Sequence, residues 1–383
     1  MTTSESASPS GLTYAASGVD TAAGDRAVDL MKEAVAATHG PEVMGGIGAF
    51  AGLVDVSALK DFRRPLLASS TDGVGTKIAI ARALDVHDTI GQDLVGMVVD
   101  DIVVVGARPI AMTDYIATGK VVPERIADIV RGIAEGCRLA GCALVGGETA
   151  EHPGLMAADD YDVAGAAVGV VEADALLGPE RVRAGDVVLG MDASGLHSNG
   201  FSLVRAVLDG AGIPLEGHVE ALGRTVGEEL LEPTRIYAAD VLALLEDART
   251  TGAVHALSHV TGGGLAANLA RVVPEGIGVR IDRASWTPLP VFGEIARWGA
   301  VPQLDLEGTL NMGIGMIAVL EAERAEAAIA VLAERGLGAR VIGEVLDPAE
   351  LPAASSPIEH VVTGAKGVEG GEVLMAGQHP GWA

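Results

Sequence analysis

The stretch from Pro65 to Ala83 constrains the fold most. A short apolar run, Pro65-Leu66-Leu67-Ala68-Ser69-Ser70, reads as a buried strand, and Ile78 to Ala83 resumes an apolar pattern. Between them lies Thr71-Asp72-Gly73-Val74-Gly75-Thr76-Lys77. Glycine lets backbone N–H groups approach an anion closely, and Lys77 adds a point charge. Asp72 suits the Mg²⁺ that accompanies a nucleoside triphosphate. Taken alone, the heptamer also reads as a turn with solvated charges.

The order of strand, glycine loop and following segment recurs. Cys142 to Val145 reads as a strand running out into Gly146-Gly147-Glu148-Thr149-Ala150-Glu151. A strand from Asp186 to Met191 precedes Ser194-Gly195-Leu196-His197-Ser198-Asn199-Gly200 and a helix, Phe201 to Leu208. Another, His255 to Val260, runs into Thr261-Gly262-Gly263-Gly264 and a helix, Leu265 to Val273. Gly45-Gly46-Ile47-Gly48 is a further glycine-rich loop, which by itself fits a tight turn as well as a ligand cradle. Hydroxyl, imidazole and amide groups before a helix suit an anion, or helix capping by Ser198 or Asn199. Strands near Gly278–Asp282, Gly315–Leu320 and Arg340–Val345, with a helix at Ala325–Glu334, complete a second α/β unit.

Two helices of the first half carry clear patterns. In Leu94 to Gly106, residues Val95, Val98, Val99, Ile102 and Val103 form a buried stripe. Asp93, Asp100 and Asp101 fall together on another face. Three carboxylates there repel unless solvated or bridged by a cation, so metal binding and a plain solvated face compete. Val121-Val122-Pro123-Glu124 opens a helix whose stripe, Ile126, Ile129, Val130, Ile133 and Cys137, makes Cys137 a core residue.

The totals set the bounds. The 383 residues suffice for two domains, and a hydrophobic fraction of 49% allows a sizeable core. We expect a mobile lead-in over 1–20, a first domain over 21–175, a second over 176–350, and a mostly disordered tail over 351–383. The net charge of −26 argues against a general nucleic-acid surface. No apolar run approaches the length of a membrane span. Two cysteines, Cys137 and Cys142, fit neither a disulfide framework nor a zinc site; reduced thiols in a cytoplasmic protein are the simplest reading.

Six segments in register resemble one family. They are Pro41-Glu42-Val43-Met44-Gly45-Gly46, Thr71 to Lys77, His87-Asp88-Thr89-Ile90-Gly91, Leu144 to Glu151, His197-Ser198-Asn199-Gly200 and Thr261 to Gly264. Together they closely resemble the phosphoribosylformylglycinamidine cyclo-ligases (aminoimidazole ribonucleotide synthetases) of purine biosynthesis, from about Tyr14 to Val345. The resemblance implies two α/β domains, the second a mixed sheet with helices, and a homodimer whose N-terminal domains share a β-barrel. It implies ATP and Mg²⁺, formylglycinamidine ribonucleotide as substrate, and aminoimidazole ribonucleotide, ADP and phosphate as products.

The resemblance also suggests roles. Asp72, Asp101 and Glu148 are assigned to Mg²⁺, with Asp93 and Asp100 as additions. Lys77, Thr76 and the loop glycines Gly45, Gly46, Gly73, Gly75, Gly146 and Gly147 are assigned to ATP, with Lys32 and Ser198 as further nucleotide candidates. Thr261, Gly262, Gly263 and Gly264, with His197 and Asn199, would face the substrate. Asp72 and Lys77 would act in catalysis. His197 and His259 are candidates for proton transfer or phosphate contact, or are structural. The family usually has Asn-Asp where this chain has Asp100-Asp101, so the extra carboxylate either strengthens the metal site or lies outside it. Two other readings compete: a kinase of the same superfamily, such as one acting on thiamine monophosphate, and a catalytically silent nucleotide-binding protein.

Overall fold

The computed structural model describes residues 20–46, 48–365 and 367–382. Of the expected lead-in, only Asp20 falls among them. Its side chain accepts from the amides of Ala22 and Ala23, both at 3.1 Å, and caps the helix Thr21–Ala36.

The first sheet has four strands in the order Pro65–Gly73, Tyr161–Glu172, Arg108–Thr118, Ala143–Glu151. Neighbours are antiparallel except the last pair, which is parallel and is joined through the helix Pro123–Ala140. Pro123 sits in that helix's first turn, and Gly141 ends it in the left-handed conformation. Its expected stripe from Ile126 to Cys137 is buried, as are Val95, Val98, Val99, Ile102 and Val103 of the helix Ile90–Val103. These two helices pack on each other, and Ile90–Val103 covers one face of the sheet. Among the described residues no helix covers the middle of the other face, and residues 52–59 lie along it. Leu67 is 70% exposed there, and with Thr113, Ala166 and Val168 it lines a groove of about 540 Å³.

The second sheet has seven strands in the order Val254–His259, Ile314–Glu321, Asp186–Asp192, Ala339–Leu346, Gly278–Asp282, Val368–Ala376, His360–Ala365. All pairs are antiparallel except Gly278–Asp282 with Val368–Ala376. The mixed sheet with flanking helices matches the α/β expectation. Among the described residues no helix is long and apolar enough to cross a membrane.

Two expectations need correction. Residues 351–383 are not a disordered tail over most of their length. The strands His360–Ala365 and Val368–Ala376 form a hairpin that extends the second sheet, and Val373, Leu374 and Met375 are buried. Burial of Val373 to Ala376 in the second strand, between Gly278–Asp282 and His360–Ala365, orders the segment, although its glycines mask the pattern in sequence. Nor do Gly146 and Gly147 leave a strand: Ala143–Glu151 continues through them, paired to Arg108–Thr118.

Candidate functional site

The opening heptamer straddles a strand end and a helix start. Asp72 and Gly73 close the strand, and Gly75–Lys77 form a short 3₁₀ turn before the helix Ile78–Leu84. Asp72 is exposed and accepts from the Gly73 amide at 2.7 Å. The Val74 carbonyl accepts from Ser198 Oγ at 2.7 Å, and Thr76 Oγ1 lies 3.2 Å from Ser202 Oγ. The heptamer is thus tied to the loop before the helix Phe201–Ala211, which the sequence separates from it by more than a hundred residues.

Lys77 does not face a phosphate loop. It is fully buried, and its ammonium donates to Asp93 Oδ1 at 2.9 Å, to the His197 carbonyl at 3.2 Å and to the Glu232 carbonyl at 2.7 Å. An ammonium has three hydrogens, and all three have acceptors. Burial lowers its pKa, opposed by the charge of Asp93. Lys77 is a strut between the two halves.

The three carboxylates of Ile90–Val103 part company. Asp93 is buried, and its Oδ1 also accepts from the Thr234 amide at 2.8 Å and hydroxyl at 2.6 Å. Asp100 is buried too and accepts from the Tyr237 amide, at the start of the helix Ala238–Glu246. Burial pushes Asp100 up to about 7, against the charge of His259 and the amides of Tyr237 and Ala238. Neither is placed as a metal ligand. They satisfy backbone donors of the second half, which helical spacing alone could not reveal. Asp101 is exposed, and its Oδ1 lies 3.0 Å from His259 Nδ1.

His259 closes the strand Val254–His259 and is buried, with no hydrogen-bond partner at Nε2 among the described residues. A carboxylate only accepts, so Nδ1 carries a proton, and in the neutral ring Nε2 is left as the acceptor. Burial would lower the His259 pKa; Asp101, Asp100 and Asp72 outweigh it and raise it. His197 is the opposite case. Burial holds it well below the usual range, aided by His259, Lys77 and Arg235. Its Nε2 accepts from the Ser194 amide at 3.2 Å, and its Nδ1 is buried without a partner among the described residues.

The Thr261–Gly264 loop follows His259 directly. Asn199 Oδ1 accepts from the Gly262 amide at 3.0 Å, which locks the two loops of the second half together. Asn268 holds the loop from behind: its Nδ2 donates to the Thr261 carbonyl at 3.1 Å and the Gly264 carbonyl at 2.8 Å. Sequence reasoning missed Asn268, because one amide in an apolar helix gives no signal of its own.

Glu148 lies elsewhere. Its strand and that of Asp72 are the two outer strands of the first sheet, so two strands separate them, about 14 Å at ordinary strand spacing. Within one copy this spacing is too wide for the two to share one small cation. Glu148 instead lines a cavity of about 650 Å³ with Gly46, Gly146, Gly147 and Asp114. Burial alone pushes Asp114 up to about 7. This acid was also missed, since nothing around it in sequence marks it. Gly45 adjoins the cavity with φ +88°, and Lys32 pairs at the surface with Asp29 at 2.5 Å. Cys137 and Cys142 are free and buried, which raises both thiols, Cys142 to about 12.

Among the described residues no group of three or more His, Cys, Asp or Glu side chains converges to hold a metal ion. Mg²⁺, however, commonly takes one or two carboxylates and completes its shell from phosphates and water. Asp72 and Asp101, both exposed and both close enough to act on His259, fit that lesser demand.

Family models agree with the two-part architecture. One described as AIR synthase related protein, N-terminal domain, matches residues 54–171, and its C-terminal counterpart matches 183–351. In folding, the chain resembles thiamine-monophosphate kinase from Stenotrophomonas maltophilia K279a, with TM-score 0.63, 18% identity, and 91% of this chain and 95% of the other covered. It also resembles a hydrogenase maturation protein, HypE, solved in complex with ATP, with TM-score 0.58, 24% identity and coverage of 93% and 96%. Curated relatives are much nearer in sequence. The phosphoribosylformylglycinamidine cyclo-ligase of Geobacillus kaustophilus (strain HTA426) is 50% identical over 87% of this chain and 95% of its own length. That of Anaeromyxobacter dehalogenans (strain 2CP-C) is 51% identical over the same shares. Half the residues shared across nearly the whole length of named enzymes is far more than a common fold requires, and the chain belongs to the phosphoribosylformylglycinamidine cyclo-ligase family.

Proposed function

We propose that the chain performs ATP-dependent ring closure of formylglycinamidine ribonucleotide, giving aminoimidazole ribonucleotide, ADP and phosphate. The observation that carries this reading is the pairing of buried His259 with Asp101 beside Asp72, in a chain half identical to cyclo-ligases. The chemistry suits these residues. An amide oxygen is a poor leaving group, and ATP supplies the phosphoryl group that makes it a good one. The amidine nitrogen then attacks the same carbon, phosphate departs and the ring closes. Such a transfer needs positioning and charge neutralisation more than a protein nucleophile.

Asp72 and Asp101 would hold Mg²⁺, which would neutralise the phosphate charge. His259 Nε2, the free acceptor of the pair, would take the proton lost by the attacking nitrogen. Neutral His197 and Asn199 would position the substrate with Thr261, Gly262, Gly263 and Gly264. Gly46, Gly146 and Gly147 line a cavity large enough for a nucleotide, which supports placing ATP there beside Glu148. Gly45 would extend that cradle, while Gly73, Gly75 and Thr76, at the opposite edge of the sheet, would serve the Mg²⁺ end of the site with Asp72.

The Leu67 face of the first sheet supports a homodimer. Leu67 and the groove beside it present apolar surface that a second copy would cover. The two unpaired thiols suit a cytoplasmic protein.

The test is phosphate release from ATP on adding formylglycinamidine ribonucleotide, with the imidazole product followed directly. ATP binding without turnover would favour a silent nucleotide-binding protein. Phosphorylation of thiamine monophosphate would favour the kinase reading.

A further inference from the structure

The C-terminal hairpin lies beyond residue 351, where the C-terminal family model ends. It is built into the fold beneath the Thr261–Gly264 loop. The helix Gly264–Ala270 begins in that loop and packs on both hairpin strands. At its far end, a Cβ on Gly370 would stand 2.0 Å from the Ala270 carbonyl oxygen, so backbone meets backbone there. At its near end, a Cβ on Gly264 would stand 1.7 Å from the Glu307 carbonyl oxygen. The helix is clamped between the hairpin and Glu307.

Glu307 is itself held by the C-terminal segment. Arg283, fully buried, makes a two-pronged contact with the Glu307 carboxylate at 2.8 and 2.6 Å. The same guanidinium donates to the carbonyls of Met375 at 2.7 Å and Ile358 at 2.9 Å. His379 completes the set: Nδ1 lies 3.1 Å from the Arg283 carbonyl, and Nε2 lies 3.3 Å from Glu307 Oε1. Trp286 packs edge-on against its ring, centroids 4.6 Å apart. Arg283 holds both oxygens of the Glu307 carboxylate, and a buried pair so bonded fixes geometry more than it adds stability; the His379 Nε2 approach is an ion-pair contact and not a hydrogen bond. What the pair fixes here is the carbonyl against which Gly264 rests.

We infer that the C-terminal segment, acting through His379, Arg283 and Glu307, is a positioning element that sets the Thr261–Gly264 loop for substrate binding. The inference rests on the reading that this loop faces formylglycinamidine ribonucleotide. His379 touches no reacting atom; it acts through Glu307.

Two conservative variants separate positioning from mere stability. His379→Asn keeps a donor near the Nδ1 position, for the Arg283 carbonyl, but loses the link to Glu307. His379→Gln places its amide near the Nε2 position and keeps that link. A protein that is only less stable loses active molecules, which lowers apparent kcat and leaves KM alone. A displaced loop raises KM for the nucleotide substrate. We expect His379→Asn to raise that KM by on the order of tenfold, with KM for ATP unchanged, and His379→Gln to restore it. Gly263→Ala, in the loop itself at φ +105°, is the control and should raise the same KM. If Gly263→Ala raises it and His379→Asn does not, the inference is overturned. If Gly263→Ala also leaves it unchanged, the loop does not meet the substrate, and the reading on which the inference rests falls with it.

Discussion

At the residue scale, the two most prominent charges of the heptamer have different fates. Asp72 is exposed and its charge acts on His259, so losing that charge should impair chemistry without unfolding the chain. Asp72→Asn is expected to lower kcat by roughly a hundredfold, with the thermal midpoint within about 2 °C of wild type. Unchanged turnover at saturating Mg²⁺ would remove Asp72 from the mechanism. Lys77 should behave in the opposite way. Lys77→Met leaves Asp93 charged, buried and short of a partner, which costs about 3–5 kcal/mol. Urea unfolding should report that loss; a stable variant with weakened ATP binding would instead return Lys77 to the phosphates. Glu307 gives a pH prediction. Burial would raise its pKa, but His379, Arg283 and Gln303 outweigh it and hold it at about 2, below the ordinary 4.5. A depressed carboxyl contributes stability that is complete above the unfolded value and is lost as pH falls from about 4.5 toward 2. Urea midpoints across that window should fall less steeply in Glu307→Gln than in wild type.

At the element scale, the helices Ile90–Val103 and Pro123–Ala140 approach closely because glycines line their contact. A Cβ on Gly91 would lie 2.2 Å from the Ile133 amide nitrogen, and one on Gly132 would lie 2.1 Å from the Asp88 carbonyl oxygen. Backbone on both sides leaves no side chain to move aside. Gly91→Ala must therefore push the helices apart, at a cost of about 1–3 kcal/mol or more, visible as a lower urea midpoint. The effect would reach the site, since the same helix carries Asp93, Asp100 and Asp101. A variant as stable as wild type would show that the helix pair is looser than its geometry implies.

At the scale of the whole molecule, one face of the first sheet presents Leu67, 70% exposed, beside a groove. If a second copy covers it, Leu67→Asp places a charge in that contact and should shift the sedimentation profile from dimer toward monomer. An unchanged profile would remove this face from the dimer interface. The high negative charge adds repulsion between copies, so raising salt should strengthen the wild-type association rather than weaken it.

By itself the sequence determined the alternation of strands, glycine loops and helices, the buried stripes from Val95 to Val103 and from Ile126 to Cys137, and the family. Those features are local in period or carried by short motifs, so they survive being read one window at a time. The tertiary structure alone decided which charges work together. Lys77, Asp93 and Asp100 look like ligand-binding groups in sequence, yet they are buried, Lys77 pairs with Asp93, and all three also bond to groups of residues 197–237. Glu148 looks like a partner of Asp72, but sheet order sets two strands between them. Asn268 and Asp114 carry no motif and come to notice only through what surrounds them. The C-terminal hairpin was hidden for a related reason. Its strands are broken by glycines, and the neighbouring Gly278–Asp282 strand, the helix Gly264–Ala270 and buried Arg283 give them something to order against.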